Sequence, residues 1–582
     1  MRPLFRRIYR VSVAGLLCLA LVAGCSGAAI EPEAPRSPWR AGAMATAANP
    51  HAVNAAMAML RRGGHAVDAA IAAHAVLGLV EPQSSGLGGG AFMLVYDFAA
   101  DDLVFHDGRE TAPAGATPDM FMRDGEAMKF LQAWQSGLSV GVPGVVRLYE
   151  DTHARYGKLP WADLFQPAID LARQGFAVSP RLAGFLPRFT DYTRLDENAG
   201  SKQYFYPGGK PLAAGHVLRN PAYAETLAQI ASQGSDAFYE GEIAKAIVAA
   251  AAAEPDPGTL TLADLAAYRS VTRDAVCATV DRYRVCGAAP PSSAAAVIMM
   301  LDLYQRFIAA DTSQSDRIAA LVDAQRLAYA DRDHFFADPD AVAVPVAELL
   351  NPRYLSVRAG ERFAPDAEPV HGDPIGVVHG AAAGPAWAND RTEEAAGTSH
   401  LSIVDAQGNA VSMTATVEAP FGSARWAAGF LLNNELTDFA REYTGQPQAN
   451  MVRPGRRPRS SMSPVMVFDS DGALKMVTGS PGGNSIPAYV LKSLVAVLDW
   501  GLSPQAAADF PNIIARGEGV RVEVTVEGGQ AIADDLKARG YVVEERQGEN
   551  SGIHLILVEG QTLTGAADSR REGTVGHLPA KP

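Results

Sequence analysis

The sequence predicts an α/β fold of the α+β kind, and three observations carry that expectation. The chain has 582 residues, 48% hydrophobic and 20% charged, so it can bury a large core; length suggests several domains and also allows one large α/β unit. Two stretches, "PHAVNAAMAMLRRGGHAVDAAIAAHAVLGLVEP" and "SDRIAALVDAQRLAYADRDHFF", carry helix formers with apolar residues at helical spacing, the first interrupted at Gly63 and Gly64. Other runs alternate as strands do, above all "TSHLSIVDAQGNAVSMTATVE" from Thr398.

The N-terminus has the pattern of an export signal over residues 1–24. Arg2, Arg6, Arg7 and Arg10 precede a short apolar core, Val11 to Val22, and small residues lead to Cys25 in "LVAGCS". The end of this signal is similar to a bacterial lipobox, which implies lipidation of Cys25, with Ser26 favouring the periplasmic face of an outer membrane. Plain secretion after cleavage nearby is the alternative. A Pro/Ala-rich tether is expected over 25–45. No later apolar run is long enough to span a bilayer, so a lipid anchor is the one membrane attachment expected. The net charge of −14 argues against nonspecific nucleic-acid binding.

After the first helical region comes "SSGLGGGAFMLVYD". Its glycines precede a strand, Phe92 to Tyr96, whereas a dinucleotide fingerprint opens a helix; close backbone packing is the better account. From Ala116 to about Ala250 the pattern is mainly helical. Cys277 and Cys286 flank "ATVDRYRV"; a hairpin centred on Asp281 and Arg282 places them opposite each other, so an exported chain is expected to form the disulfide. No His or Cys cluster has metal-ligand spacing, and no metal or other cofactor is expected. Residues 360–397 are rich in Ala, Gly, Pro and Asp and are expected to be loose.

At Thr398 strand alternation begins abruptly. Pairing Val404 with Ala410 across the "DAQGN" turn sets Thr398 opposite Thr416, with both hydroxyls on one face. A threonine hydroxyl is a weak nucleophile without a base, and a threonine at a chain N-terminus supplies its own base in the α-amine. That requires cutting the Gly397–Thr398 bond. Gly482 and Gly483 in "TGSPGGNS" are candidate oxyanion donors through their backbone N–H groups.

Seven motifs in order, "SSGLGGGAFM", "DGRETAP", "GTSHLSIVDAQGNAVSMTATVE", "FLLNNELTDF", "RPRSSMSP", "VTGSPGGNSI" and "GAADSRREG", make the chain from about Ala45 to Gly573 resemble the γ-glutamyltranspeptidases of the N-terminal-nucleophile hydrolase superfamily. The resemblance implies a four-layer αββα sandwich shared by two subunits from one precursor: a large one over 46–397 and a small catalytic one over 398–582. It implies Thr398 as nucleophile, Thr416 orienting it, and Gly482 and Gly483 as the oxyanion hole. Arg109, Ser460 and Ser461 match the donor α-carboxylate contacts; Glu418, Glu435 and Asp438 match the α-ammonium contacts. The implied partners are glutathione and other γ-glutamyl compounds, with water, amino acids or peptides as acceptors.

Two departures stand out. Ala440 to Arg459 is short where some members carry an aromatic lid, and Tyr443 sits too near Asp438 to fill that role, so an open cleft with substantial hydrolysis is expected. Ala294 and Ala295 stand in "PPSSAAAVIMM" where the family often has glycines. The alternatives are a glutaryl or cephalosporin acylase of the same fold and, from another class, an uncleaved, inactive binding lipoprotein.

Overall fold

A computed structural model describes residues 39–380, 387–390, 392–442 and 445–580. The signal segment, Cys25, the tether up to residue 38 and Tyr443 lie outside the described residues. Among those described, no helix is long and apolar enough to cross a membrane.

Two antiparallel sheets organise the chain. The thirteen principal strands are β1 (Ala43–Ala47), β2 (Gly90–Asp97), β3 (Asp102–Gly108), β4 (Val271–Asp274), β5 (Val276–Val280), β6 (Tyr283–Gly287), β7 (Gly397–Val404), β8 (Ala410–Glu418), β9 (Val465–Phe468), β10 (Leu474–Gly479), β11 (His554–Glu559), β12 (Thr562–Ala567) and β13 (Thr574–Leu578). The first sheet runs β13-β1-β7-β8-β2-β3-β4 and the second β12-β11-β10-β9-β6-β5. Each sheet therefore takes strands from both sides of the Gly397–Thr398 bond.

Strand alternation decides what each face meets. In β2 and β7, Met93, Val95, Leu401 and Ile403 pack on α1 (Pro50–Arg61) and α2 (Ala66–Val80). Phe92, Leu94, Tyr96 and Val404 face the other way, into the core shared with Met466, Phe468 and Val477 of the second sheet. Polar groups on that buried face are bonded across the gap: Ser402 Oγ donates to the His554 carbonyl and Ser412 Oγ to that of Thr478, each at 2.9 Å. On the far side of the second sheet lie α3 (Ala294–Phe307), α4 (Gln314–Phe335) and α5 (Ile486–Leu498). The layers are thus helix, sheet, sheet, helix, the expected sandwich. The interruption read at Gly63 and Gly64 separates two helices: α1, capped by Asn49, ends at Arg61, and His65 with Asp68 forms a capping box on α2.

The segment over 116–250 is helical, as its pattern indicates, and the 277–286 hairpin closes with Cys277 opposite Cys286 in a disulfide. Two expectations need correction. The tether does not extend to residue 45, because Ala43–Ala47 is buried as β1 between β7 and β13. Nor is 360–397 loose in its described parts. Pro374–His379 is helical, and Asp390, Thr392 and Glu394 are buried. Low apolar content hid this, because charge pairs rather than hydrophobic burial anchor the segment.

Candidate active site

The site forms at the start of β7. Thr398 pairs with Thr416 and Val404 with Ala410, the register expected from the hairpin count, with an irregularity between Gly397 and Thr398. The two threonine Oγ1 atoms are 3.3 Å apart, both buried. Thr416 Oγ1 donates to the Gly397 carbonyl at 2.8 Å and accepts the Glu418 N–H at 2.8 Å. A hydroxyl has one proton to give. With that proton spent on Gly397, the Thr398 hydroxyl is the donor in the threonine pair.

Glycines let backbone approach this point. A Cβ on Gly89 would lie 1.9 Å from the Thr416 carbonyl oxygen, and one on Gly397 would lie 2.4 Å from backbone atoms of Ala419. The glycine run before β2 thus serves close packing, as its position before a strand suggests. Glu418 ends β8 with φ +76, a left-handed conformation that costs an ordinary residue about 1–3 kcal/mol. Its carboxylate accepts the Ala395 N–H at 2.7 Å and the Asn434 side-chain amide.

One cavity brings together Thr398, Thr416, Glu418, Glu435, Asp438, Arg109, Ser460, Ser461 and Gly483. Gly482, with φ +137, lines the adjoining larger cleft beside Glu393 to Ala396. The acids form a cluster around one guanidinium. Arg109 Nη1 bonds Glu435; Nη2 donates to Asp438 at 2.6 Å and to the Arg459 carbonyl at 2.7 Å; Nε donates to the Pro458 carbonyl at 3.2 Å. Glu110 lies 3.9 Å from the same guanidinium. Burial pushes Glu110, Glu418, Glu435 and Asp438 above the usual carboxylate range; Arg109 partly offsets this for Glu110, Glu435 and Asp438, while neighbouring acids add to it. Arg109 contacts Glu110, Glu435 and Asp438, and Arg441 interacts with Glu418 and Asp438, so carboxylates outnumber guanidiniums at this end of the cavity.

The other end is basic, and sequence reasoning missed it. Ser461 N–H donates to Glu394 Oε2 at 2.7 Å, and Arg332 Nη2 bonds Glu394 Oε1 and donates to Ser461 Oγ at 2.7 Å. Arg459 Nε lies 3.6 Å from Glu394 Oε1. Burial works to raise the Glu394 pKa, but Arg332, Arg459 and the Ser461 bond outweigh it and hold the carboxyl below its usual range. Arg571, from the final motif, donates to the Thr398 carbonyl at 2.9 Å. Arg459 and Glu110 adjoin motif residues and could have been noticed there. Arg332 on α4 gave no local signal. Ala294 and Ala295, at the start of α3, are buried and do not line the cavity.

Two antiparallel sheets packed face to face between helical layers, with a threonine strand central in the first, define an N-terminal-nucleophile hydrolase. The family model for gamma-glutamyltranspeptidase matches residues 52–578. The chain is 32% identical over 588 residues to the glutathione hydrolase proenzyme of Bacillus subtilis (strain 168), with 98% of each chain covered. It is 34% identical over 596 residues to that of Escherichia coli (strain K12), again with 98% of each covered. The crystal structure of cephalosporin acylase from Bacillus halodurans matches with a TM-score of 0.80 at 25% identity, covering 96% of this chain and 100% of that one. The chain belongs to the γ-glutamyltranspeptidase family.

Proposed function

We propose that this chain is an exported γ-glutamyltranspeptidase and glutathione hydrolase that matures by cutting itself between Gly397 and Thr398. The carrying observation is the placement of Thr398, Thr416 and the Gly397 carbonyl in one buried hydrogen-bonded set, beside a cavity acidic at one end and basic at the other. In self-cleavage, Thr398 Oγ1 adds to the Gly397 carbonyl carbon while Thr416 stabilises the oxygen. The C–N bond breaks, the proton from the hydroxyl passes to the departing Thr398 nitrogen, and an ester remains. Water hydrolyses that ester, leaving a Gly397 carboxylate and a free Thr398 amine. The two pieces stay together because both sheets interleave strands from each.

In turnover, the Thr398 amine takes the proton of its own hydroxyl as Oγ1 attacks the γ-carbonyl of a γ-glutamyl amide. Gly482 and Gly483 N–H groups receive the oxyanion. The amine leaving group departs with the proton, and water or an amino acid or peptide amine resolves the ester. Glu418, Glu435 and Asp438 hold the donor α-ammonium; Arg109, Ser460 and Ser461 hold its α-carboxylate. The short span between Ala440 and Arg459 favours hydrolysis alongside transfer. The N-terminal pattern supports export and a lipid anchor on Cys25 at the outer membrane.

The likeness to a cephalosporin acylase supports a second reading, in which a glutaryl group is the acyl donor. The acid cluster favours the first, because a glutaryl chain has no ammonium to neutralise it. N-terminal sequencing of the smaller fragment tests maturation. Assays with γ-glutamyl and glutaryl anilides at equal concentration, with and without a dipeptide acceptor, test the donor. A fragment beginning at Thr398 and a preference for γ-glutamyl are expected; a glutaryl preference rejects the first reading.

A further inference from the structure

Once freed, the Thr398 α-amine can take a proton from its own hydroxyl only in its neutral form, and an ordinary chain-terminal amine titrates near 8. The cavity acids work against that form. Glu418, Glu435 and Asp438 share the cavity with Thr398, and negative charge there favours a protonated amine. Arg109 stands against Glu435 and Asp438, and Arg332 against Glu394.

Arg571 is a cation placed differently. Its side chain is buried, and all three guanidinium nitrogens donate to backbone carbonyls: Nη1 to Thr398 at 2.9 Å, Nη2 to Asn550 at 3.1 Å and Nε to Ser551 at 3.2 Å. Among the described residues the nearest carboxylate oxygen is Glu81 Oε2, buried at the end of α2 and 4.0 Å from Nη1, beyond hydrogen-bond reach. Burial and then Arg181 push the guanidinium down to about 9, with Glu81, Asp568 and Tyr489 opposing, so it is a cation at neutral pH. It in turn helps burial hold the His554 imidazole below its usual value. The carbonyl oxygen and nitrogen of one residue lie about 3 Å apart, which places Nη1 within about 6 Å of the amine that cleavage at Thr398 creates.

We propose that Arg571 is a positioning residue for the Thr398 nucleophile: it pins the Thr398 carbonyl and, through its charge, favours the neutral form of the freed α-amine, while Glu81 moderates that charge. This rests on the reading of Thr398 as the nucleophile released by cleavage after Gly397. Two observations carry it. The guanidinium bonds the carbonyl of the nucleophile's own residue, and no carboxylate among the described residues is hydrogen-bonded to it, so its field is not cancelled on the spot. A cation that close disfavours a second cation at the amine, and burial keeps salt from screening it. The same bond has a mechanical consequence. Cleavage leaves β7 beginning at Thr398, and Arg571 holds the new terminus where the sheet placed it.

The test is the pH profile of kcat/KM for a γ-glutamyl anilide on processed enzyme, whose acidic limb reports the base of the free enzyme. Arg571→Met removes the charge and is expected to move that limb up by about 1 pH unit. Relative to wild type, the loss is expected to be about tenfold at pH 6.5 and to shrink to about threefold at pH 9.5. Arg571→Lys restores a cation and is expected to bring the limb back to within about 0.3 of a pH unit. Glu81→Gln removes the opposing charge and is expected to move the limb the other way, down by about half a pH unit. A loss in Arg571→Met that is the same at every pH assigns Arg571 to folding and overturns the proposal. An unmoved limb in Glu81→Gln beside a raised one in Arg571→Met overturns the part given to Glu81. If Arg571→Met is not processed, Glu81→Gln decides alone: a lowered limb supports the proposal, and an unmoved or raised one overturns it. Activity in Thr398→Ala would instead overturn the reading of the nucleophile, and this assignment with it.

Discussion

Thr416 Oγ1 donates a 2.8 Å hydrogen bond to the carbonyl oxygen of Gly397, the residue just before Thr398. In the proposed self-cleavage the bond polarises the carbonyl under attack, and it orients the Thr398 hydroxyl at 3.3 Å as a donor towards Thr416. Removing one donor from a developing oxyanion costs on the order of 10²-fold in rate. Thr416→Val is therefore expected to slow cleavage by about that factor, and Thr416→Ser to stay within about fivefold of wild type. A time course of fragment appearance on a denaturing gel measures both. Thr398→Ala should give a single uncleaved band; cleavage in that variant would remove Thr398 from the reaction.

Backbone proximity makes two glycines sensitive. Gly483 has φ +57, and a Cβ there would stand 2.4 Å from the Glu394 carbonyl oxygen and 2.5 Å from that of Ala395. Gly483→Ala is expected to displace the pre-cleavage segment and slow processing by more than tenfold while the protein stays folded. At Gly89 the obstacle is the Thr416 carbonyl oxygen, 1.9 Å away and fixed in the sheet. Overpacking of that kind costs about 3 kcal/mol or more, so Gly89→Ala is expected to lower Tm and solubility along with processing. Circular dichroism melts separate the two outcomes.

The contrast between these residues explains how far the sequence could be read. The Thr398–Thr416 pair was legible because hairpin register follows from counting across a short turn. The span of β8 was legible for the same local reason. The Arg332, Arg459 and Glu394 cluster was not, because it joins α4, the "RPRSSMSP" loop and the pre-cleavage segment, and such pairing leaves no periodic trace. Arg571 reaches the Thr398 carbonyl from 173 residues away in sequence. The order of residues 387–390 and 392–396 was missed for a related reason. Composition reports apolar content, and this segment is held by carboxylates.

The Cys277–Cys286 bridge closes a loop of sequence separation 9 at the edge of the second sheet, away from the cavity. Chain entropy for so short a loop gives about 2–3 kcal/mol of stabilisation. The double variant Cys277→Ser with Cys286→Ser is expected to melt a few degrees lower, with processing and kcat/KM within twofold of wild type. Loss of activity at a temperature where the fold persists would show that the bridge positions the site.

Charge at the acidic pole predicts a pH signature with a definite sign. Burial raises Glu418, Glu435 and Asp438 well above their ordinary values; repulsion adds to it, from Asp438 and Glu394 on Glu418, from Glu110 and Glu418 on Glu435, and from Glu394 and Glu435 on Asp438, while Arg109 opposes the rise for Glu435 and Asp438. An acid whose folded pKa exceeds its unfolded value, about 4, holds protons that the unfolded chain releases. Its contribution to stability is therefore present below about pH 4 and lost as pH rises through the folded values. A bound ammonium reverses the loss, because it favours the ionised carboxylates. Processed enzyme without ligand should lose Tm between pH 5 and pH 8, and Glu435→Gln should lose less. L-glutamate should raise Tm by more at pH 8 than at pH 5, since at the lower pH its binding must first expel protons. Glutarate carries no ammonium and should show no such increase. Equal L-glutamate shifts at both pH values would separate the acid cluster from ammonium recognition and assign it to folding alone.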